Sequence, residues 1–550
     1  MRKVFFGLIL LFWTVLYADF IVPQFDPVYE FLEMTNTLRK SSLNHFQYPL
    51  YYHQIMKELE SIAYDRTAGV YRNIAFYHQR RLNMSYEEGI EIAVYPANKL
   101  WENIVGLFRK NPTHQRLVTI AEPQSDTLSG DRNSNYHAER ERQMGRNLNL
   151  TPQNSHLMYI SGILGVQSDY RKIGNNTVDR MHRYYGIESA GSFSPNFGYY
   201  LLFRKGHYIG NADFIKENPY ITWLDNALYN DRDRFYRVDM ISEVDFKNRF
   251  LNLSTGYGSF DIGRTISSSI ILNSNVTPYG YLKFNKTFGS LEYNGITSQL
   301  IPQRDETPAE FKPKGMAVQT IALKTQNSTF GLGNSILYSN RSFDLAYSTP
   351  FAIYKVIDNK YHGVDNGLFF GYGEIKPANG LNIYANFLFD DVKNSRFFTD
   401  KRFSYTAFQG GVLTLMNNFP MEVGCEMTIV GPSTYAHKSK YLTYMHDDMM
   451  LGHKNGSNFL SFVGRVRYHF ERVSFSFLYE NIQQGDVGYW PTAGAGEQKF
   501  LANNISRREF FKTSVDFRLI PELYVFAKYD YHKLPNSEIH YAFTGAEFKY

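Results

Sequence analysis

The sequence of 550 residues has little cysteine, few long apolar runs and little net charge. It contains one cysteine, Cys425, which excludes an internal disulfide and a multi-cysteine metal site. Beyond its first segment it has no long apolar run, which excludes a helical membrane protein. Its charges are mixed along the chain and nearly balanced, 58 Lys+Arg against 53 Asp+Glu, so we expect no nucleic-acid partner.

Catalytic and cofactor patterns are also missing. The chain has neither a Gly-x-Ser-x-Gly elbow nor a His-Glu-x-x-His pattern, so we expect a protein that is not an enzyme and has no cofactor. Aromatic residues, in contrast, make up 17% of the chain, which excludes a disordered protein.

The N-terminus has the pattern of a secretory signal. Arg2 and Lys3 precede an apolar run over 4–18 that is too short to span a bilayer as a helix. We therefore expect a cleaved signal peptide over 1–18 and export from the cytoplasm.

Residues 19–150 are predicted to form a small helical bundle followed by a linker. Asp26 is a suitable cap for a helix that has Pro27 at its first position, and 85–88 form a capping-box pattern for a later helix. The polar stretch 123–150 reads as the linker. A second helix is predicted by apolar residues at helical spacing: Tyr52, Ile55, Met56, Leu59 and Ile62.

From 151 to 550 the hydrophobic period changes to two. Segments such as 381–390, 460–470, 473–480 and 521–531 alternate an apolar with a mostly polar residue. This alternation fits either an exported soluble β-sandwich or a transmembrane barrel with its apolar face in lipid.

Strand length and connection length favour the barrel. Each strand has roughly the 9–11 residues that a tilted membrane strand needs. Short connections, for example 416–420, alternate with long ones at 391–404, 431–457 and 483–507. The prediction is an all-β transmembrane barrel of about 16–18 antiparallel strands. Between 339 and 365 the alternation fails, which predicts either a loop that folds in or a misplaced strand.

Several segments resemble the Wzi-type capsule assembly family of outer-membrane proteins and its relatives in gliding bacteria. They are 31–42 with 47–62, then 263–272 before the strand pair 281–296, then 347–391, and finally 451–470. Within these, 263–272 is similar to a glycine-rich strand of the family. One departure is that Thr265-Ile266-Ser267 stands where the family has Gly-Pro-Gly.

The resemblance implies an 18-stranded outer-membrane barrel with helices at its periplasmic end. It also implies a monomer that holds capsular or other surface polysaccharide without catalysis. The barrel pattern alone fits a porin-like diffusion channel or transporter equally well. Outer-membrane lipid is an expected partner, and so is the barrel-insertion machinery, because the last strand ends on the aromatic Tyr550.

Candidate polysaccharide-binding residues lie in or beside the predicted extracellular loops. Aromatic faces stack on sugar rings, and carboxylates, amides and imidazoles bind hydroxyls. A loop over 441–457 also contains His446, Asp447 and Asp448, but their spacing matches no metal motif, so we expect a polar surface loop and no metal site. For the aromatic pair Tyr489 and Trp490, an anchor at the membrane interface is an equal alternative. The binding candidates are Tyr489, Trp490, Asp390, Asp391, His453 and Asn455.

A second set of charged residues is predicted to face the barrel lumen. Charges on the polar faces of neighbouring strands form either a salt-bridged wall, a stabilised plug or a path for anionic solutes. The candidates are Arg465, Arg467, His469, Glu480, Lys528 and Asp530.

Overall fold

The computed structural model describes two helical segments and most of the barrel region. The signal at 1–18, the linker at 123–150, Asp391, Tyr489 and Trp490 lie outside the described residues. Described are 27–35, 52–63, 71, 74–75, 78–79, 82, 158–194, 197–210, 234–248, 251–302, 313–341, 343–361, 363–390, 405–416, 419–470, 472–486, 500–501, 504–520 and 523–549.

Eighteen antiparallel strands form one closed barrel, which lies within the predicted range of about 16–18 and equals the number that the resemblance implies. The first strand pairs with the last over eleven residues, so the sheet has no free edge. The barrel strands are β1 (Met158–Ile173), β2 (Asn176–Ser194), β3 (Phe197–Gly210), β4 (Arg234–Lys247), β5 (Asn252–Gly258), β6 (Tyr279–Phe288), β7 (Leu291–Leu300), β8 (Lys314–Lys324), β9 (Ser328–Ser339), β10 (Asn366–Ala378), β11 (Leu381–Asp390), β12 (Thr406–Leu415), β13 (Met421–Val430), β16 (Phe459–Phe470), β17 (Val473–Gln484), β18 (Ser506–Ile520), β19 (Leu523–Leu534) and β20 (Ser537–Lys549). Strands β14 (Met445–His446) and β15 (Met449–Met450) form a separate small hairpin.

The predicted alternation corresponds to the inner and outer faces of this barrel. In β16, Phe462 is half exposed on the outer face, whereas Val463 and Arg467 are buried on the inner face. A lumen filled with protein explains this burial, because side chains on an empty inner face would be as exposed as those outside. In the described part of the chain, no helix is long and apolar enough to span a membrane.

The connections divide the barrel into two different rims. On the short-turn rim, 195–196, 248–251, 289–290, 325–327, 379–380, 416–420, 471–472 and 521–522 join the strands. On the long-loop rim, 174–175 and 535–536 are short, and the other connections are 211–233, 259–278, 301–313, 340–365, 391–405, 431–458 and 485–505. This asymmetry is typical of outer-membrane barrels.

Two predicted helices are confirmed, and they pack at the short-turn rim. Helix α1 (Pro27–Thr35) and helix α2 (Tyr52–Ala63) share an apolar cluster that includes Leu415 of the barrel. The hydroxyl of Tyr71 donates to the backbone carbonyls of Met416 (2.5 Å) and Phe419 (2.9 Å) in the adjoining turn. The helices are thus attached to this rim by both apolar and polar contacts.

The segment 259–278, here the inserted segment, is not part of the sheet. The expectation of a strand over 263–272 is therefore wrong: only the bridge between Ile262 and Leu272 has strand-like pairing. Gly263 has a φ of 82°, a left-handed conformation that interrupts a strand. The isoleucines of the segment are buried in the lumen against inward-facing side chains of the wall. Burial of these apolar groups stabilises the segment inside the barrel without strand pairing.

The connection 340–365 lies outside the barrel wall, not inside it. It contains a 3-10 helix (Leu345–Ser348) and helix α3 (Tyr354–Tyr361). Both pack on Ala317, Ile336 and Tyr338, which face outward from β8 and β9. The failure of the alternation at 339–365 therefore reflects a loop that folds back over the outer wall.

Candidate functional site

The inserted segment is bound to the wall mainly through one carboxylate. Glu426, on the inner face of β13, accepts hydrogen bonds from Ile266 N (2.7 Å), Ser267 Oγ (2.6 Å), Ser267 N (3.2 Å) and Thr265 Oγ1 (3.0 Å). A further bond of 2.7 Å comes from the hydroxyl of Tyr384 on β11. Thr265-Ile266-Ser267, which departs from the family pattern, is thus the part of the segment that this carboxylate binds.

Two amide side chains from neighbouring strands extend this contact. Asn386 of β11 donates to the carbonyl of Arg264 (2.7 Å), and Gln409 of β12 donates to the carbonyl of Ser268 (2.8 Å). Asn386 also donates to the side-chain oxygen of Gln409 at 3.0 Å. These bonds satisfy backbone groups of an irregular segment that burial removes from water.

The connection 431–458, here the covering loop, closes over the inserted segment from the long-loop rim. Tyr435 donates to the carbonyl of Ile270 (2.6 Å), and the backbone amide of Asn273 donates to the carbonyl of Leu451 (2.8 Å). The hydroxyl of Thr277 donates to Asp447 at 2.9 Å. The loop includes the small hairpin of β14 and β15, which is separate from the barrel sheet.

The two loop histidines are buried, which corrects the expectation of a polar surface loop. His446 accepts a hydrogen bond from the backbone amide of Ile301 (2.9 Å). His453 accepts one at Nδ1 from the amide of Asn455 (3.2 Å), and its Nε2 lies 3.3 Å from Ser267 Oγ. Burial lowers the pKa of His446 to about 4 and that of His453 to about 3.

Asp390 and Asn455 are both positioned at the edge of the covering loop. Asp390, the last residue of β11, is buried and accepts a 2.6 Å hydrogen bond from the amide of Tyr435. Asn455 donates to Glu480 at 3.2 Å. These two residues, like His453, shape the loop from within, and whether any of them contacts a glycan stays a prediction.

Three of the predicted lumen charges hold internal parts of the protein in place. Arg465 and Arg467 of β16 each contact Glu422 of β13 at 2.9 Å, and Arg467 also contacts Glu33 of α1 at 3.2 Å. His469 lies 3.1 Å, Nε2 to Nε2, from His78 of the N-terminal region. These contacts tie the helices to the wall at the short-turn rim.

Glu480 holds the end of the covering loop. It lies on the inner face of β17, forms a 2.8 Å ion pair with Lys454 and accepts the bond from Asn455. The structure thus places Glu480 in a polar contact between wall and loop.

Lys528 and Asp530 line a different part of the lumen. Here a cavity of about 620 Å³ lies between the inner faces of β1–β4 and those of β17–β20. Its cationic side chains are Arg180, Arg204, Lys512 and Lys528, and its acidic ones are Asp239, Asp530 and Glu547. Arg180 pairs with Asp169, and Arg204 lies 3.5 Å from Asp239 and 3.6 Å from Glu547. No group of three or more possible metal ligands occurs among the described residues.

Sequence reasoning missed the wall residues that bind the inserted segment, Glu426, Asn386 and Gln409, and also missed Glu422, the shared partner of two arginines of β16. One signal was present, since all four are large polar residues on the inner faces of the neighbouring strands β11, β12 and β13. A water-filled lumen gives the same pattern, however, and the partner segment comes from more than a hundred residues earlier in the chain.

Solved structures share this arrangement of strands. Wzi of Escherichia coli, described as an outer membrane protein of group 1 capsule assembly and a carbohydrate binding β-barrel, superposes with a TM-score of 0.57 over 96% of this chain and 99% of its own. The chain has the fold of Wzi. Sequence identity to Wzi is 11%, and no protein-family model and no curated protein matches the sequence.

Two Occ-type barrels are also similar, over a smaller part of the chain. OccK1 of Pseudomonas aeruginosa (11% identity) and OccAB2 of Acinetobacter baumannii (9% identity) each match 71% of this chain and 98% of their own, with TM-scores of 0.41. The Wzi fold, in contrast, accounts for nearly the whole chain. The protein is an outer-membrane type of β-barrel.

Proposed function

We propose that this protein is a non-catalytic barrel of the bacterial outer membrane that binds and organises capsular or other surface polysaccharide. The observation that carries the proposal is the filled lumen beneath the long-loop rim. The inserted segment and the covering loop share an apolar core with the wall, built from residues such as Ile270, Leu272, Leu451 and Phe459. A core of this kind excludes water and favours a rigid surface for binding over a wide pore.

The orientation follows from the two rims. Outer-membrane barrels have short turns on the periplasmic side and long loops on the outside. We accordingly assign 1–18 to a cleaved signal peptide, 19–150 to a periplasmic helical region with its linker, and 151–550 to the barrel. Helices α1 and α2 then brace the periplasmic end, and the covering loop faces the cell exterior.

Glycan recognition is assigned to the long-loop rim. Tyr489 and Trp490 offer flat apolar faces for sugar rings, and Asp391 offers a carboxylate for hydroxyl groups. Asp390, Asn455 and His453 contribute by fixing the shape of the covering loop, because their hydrogen bonds are made within the protein. Wzi, whose fold this chain shares, is described as carbohydrate binding.

Direct binding tests this assignment. Purified protein in detergent is titrated with fluorescently labelled polysaccharide extracted from the surface of the same cells. The double variant Y489A/W490A is expected to bind at least about tenfold more weakly, since two stacking contacts are lost. The matched control is Tyr361→Ala, which removes an exposed aromatic ring from the connection 340–365. Equal affinity of wild type and both variants would remove this rim from the proposal.

The polar cavity favours a second candidate, a narrow path for anionic solutes. Its four cationic side chains outnumber its three acidic ones, and it lies in the sector of the lumen away from the inserted segment. Planar-bilayer recordings separate the two functions. The path is supported by a steady conductance that prefers anions in the wild type and loses or reverses this preference in the double variant K512E/K528E. A bilayer without channel conductance leaves polysaccharide binding as the function.

A further inference from the structure

Residues 343–361, here the outer strap, cover a polar area on the outside of the barrel. Gln319 of β8 and Asn334 of β9 are partners in the sheet and point outward, as do Ile321 and Leu332 further along the same strands. Both amides donate to the carbonyl of Ala352 in the strap. Without the strap, these two side chains would lose the carbonyl of Ala352 as an acceptor and would face the apolar interior of the membrane, where amide groups with incomplete hydrogen bonding are unfavourable.

Aromatic contacts hold the strap to the wall. The ring of Phe351 lies 4.5 Å from that of Tyr293 on β7, and the ring of Tyr347 lies 5.6 Å from those of Tyr338 and Tyr354. Phe351 has a φ of 62°, an unusual value for a bulky residue. The carbonyl of the next residue, Ala352, accepts the hydrogen bonds from the two amides.

Ion pairs close the ends of the strap. Arg341 pairs with Asp344 at 2.7 Å and with Asp365, and the hydroxyl of Tyr347 donates to Asp365 at 2.7 Å. The backbone amide of Asp365 donates to Asp358 of α3 at 3.1 Å. The strap is thus a fixed element of the barrel, in which Asp344 and Asp358 are paired with Arg341 and Lys355.

Apart from Thr349, Asn359 and Lys360, the exposed face of the strap is apolar. Leu345 is 76% exposed and Tyr361 is 71% exposed, and neighbouring apolar side chains exceed 50%. The covering loop and the inserted segment, at the same rim, have no exposed large hydrophobic residue among their described side chains. In and beside the strap the exposed set is Phe343, Leu345, Phe351, Ile353, Val356, Tyr361 and Val364.

We propose that this face is buried in the acyl-chain layer of the outer leaflet. The strap rests on the lipid-facing surface of β7–β9, so its outer face takes the place of the wall that it covers. On an aqueous surface seven such side chains would form an unusually apolar patch. In lipid they extend the hydrophobic belt and shield Gln319 and Asn334.

Fluorescent labelling at single cysteines tests the location. In a Cys425→Ser background, Leu345→Cys or Val356→Cys is labelled with an environment-sensitive dye, and the protein is reconstituted in phospholipid nanodiscs. The aqueous control is Lys438→Cys in the covering loop, since Lys438 is exposed. The lipid control is the native Cys425, which is exposed on the outer face of β13. The heat-dependent shift of the folded band on gels verifies that each variant is folded.

Lipid burial predicts that the strap dyes behave like the dye on Cys425. They should be quenched at least about threefold more strongly by nitroxide on acyl chains than by iodide, and the dye at position 438 should show the reverse. Strong quenching by iodide at 345 and 356 would overturn the proposal. So would protection from both quenchers, which would instead place a second copy of the chain or another protein on this face.

Discussion

Ser267 and Glu426 are joined by a 2.6 Å hydrogen bond between the inserted segment and the inner wall of β13. Four further donors, from Thr265, Ile266, Tyr384 and the amide of Ser267, bind the same carboxylate. A buried carboxylate with five donors is a strong local anchor, since hydrogen bonds to charged groups are worth about 1.5–3 kcal/mol each. The inserted segment is therefore held in this part of the lumen more by Glu426 than by backbone pairing with a strand.

Replacing Glu426 is predicted to loosen the inserted segment without unfolding the barrel. In Glu426→Ala all of these donors lose their acceptor, and the free energy of local opening should fall by about 3 kcal/mol. Hydrogen exchange of 259–278 should accelerate by about 100-fold, while that of β1 and β20 stays unchanged. Glu509→Ala, which removes a partly exposed carboxylate, is the control. Unchanged exchange in Glu426→Ala would show that apolar packing alone retains the segment.

Glu422 is predicted to contribute more to global stability than a more exposed residue of the same type. Glu422→Ala leaves Arg465 and Arg467 in the lumen without their shared anion. The free energy of unfolding should therefore fall by about 3–5 kcal/mol. Glu509→Ala, which breaks a 3.7 Å pair with the half-exposed Lys533, should cost under about 1 kcal/mol. Urea unfolding in detergent, followed by tryptophan fluorescence, measures both. Equal midpoints would mean that water enters this part of the lumen and solvates the arginines.

Gly263 is predicted to tolerate no side chain. A Cβ at this position would lie 2.5 Å from the side-chain oxygen of Asn386, in addition to the cost of a φ of 82°. Gly289 isolates the conformational cost, since it has a φ of 60° and a Cβ added there would have no neighbouring atom within 4 Å. Gly289→Ala should lose about 1–2 kcal/mol of unfolding free energy, and Gly263→Ala clearly more. If the two losses are the same, Asn386 moves aside and the contact is less rigid than its hydrogen bonds indicate.

Acid is predicted to destabilise the covering loop through His453. The amide of Asn455 donates to Nδ1, so Nε2 carries the proton and donates to Ser267, whose hydroxyl donates to Glu426. A second proton on Nδ1 would oppose the amide of Asn455. The charged groups around the ring are Lys454 and Glu480.

The sign follows from the lowered pKa of about 3 for folded His453, against 6.5 for the ordinary side chain. Between these values the unfolded state binds the extra proton, so stability is present above pH 6.5 and is lost as the pH falls. When the pH falls from about 7.5 to about 5.0, this histidine should lower the free energy of unfolding by about 2 kcal/mol. Thermal unfolding of wild type and His453→Gln at both pH values measures it. An equal pH dependence in the two proteins would assign the effect to His446 or other groups.

The strands were predictable because alternation is a local property of the sequence. The predicted segment 381–390 coincides with β11, and 460–470 differs from β16 by one residue. The lengths of the connections, and hence the two rims, were visible for the same reason. Helix α1 begins at Pro27, where the cap Asp26 and the proline predict it.

What fills and covers the barrel was not predictable, because it depends on contacts between distant residues. The segment 263–272 reads as a strand, and only its long-range bonds to Glu426 and Gln409 show that it lies in the lumen. His453 reads as a surface residue in a polar loop, yet it is buried against Ser267. The outer strap shows the same limit, since the sequence cannot tell which face of the wall a long connection covers.

The ratio of cell-attached to released surface polysaccharide tests the central claim most directly. It is measured in a deletion strain, in the same strain complemented with the wild-type protein, and in one complemented with the Y489A/W490A variant. We expect that the deletion strain still makes the polysaccharide but sheds it into the medium, and that only the wild-type protein restores full attachment. Unchanged attachment in the deletion strain would contradict the account and would favour solute passage through the cavity lined by Lys512 and Lys528.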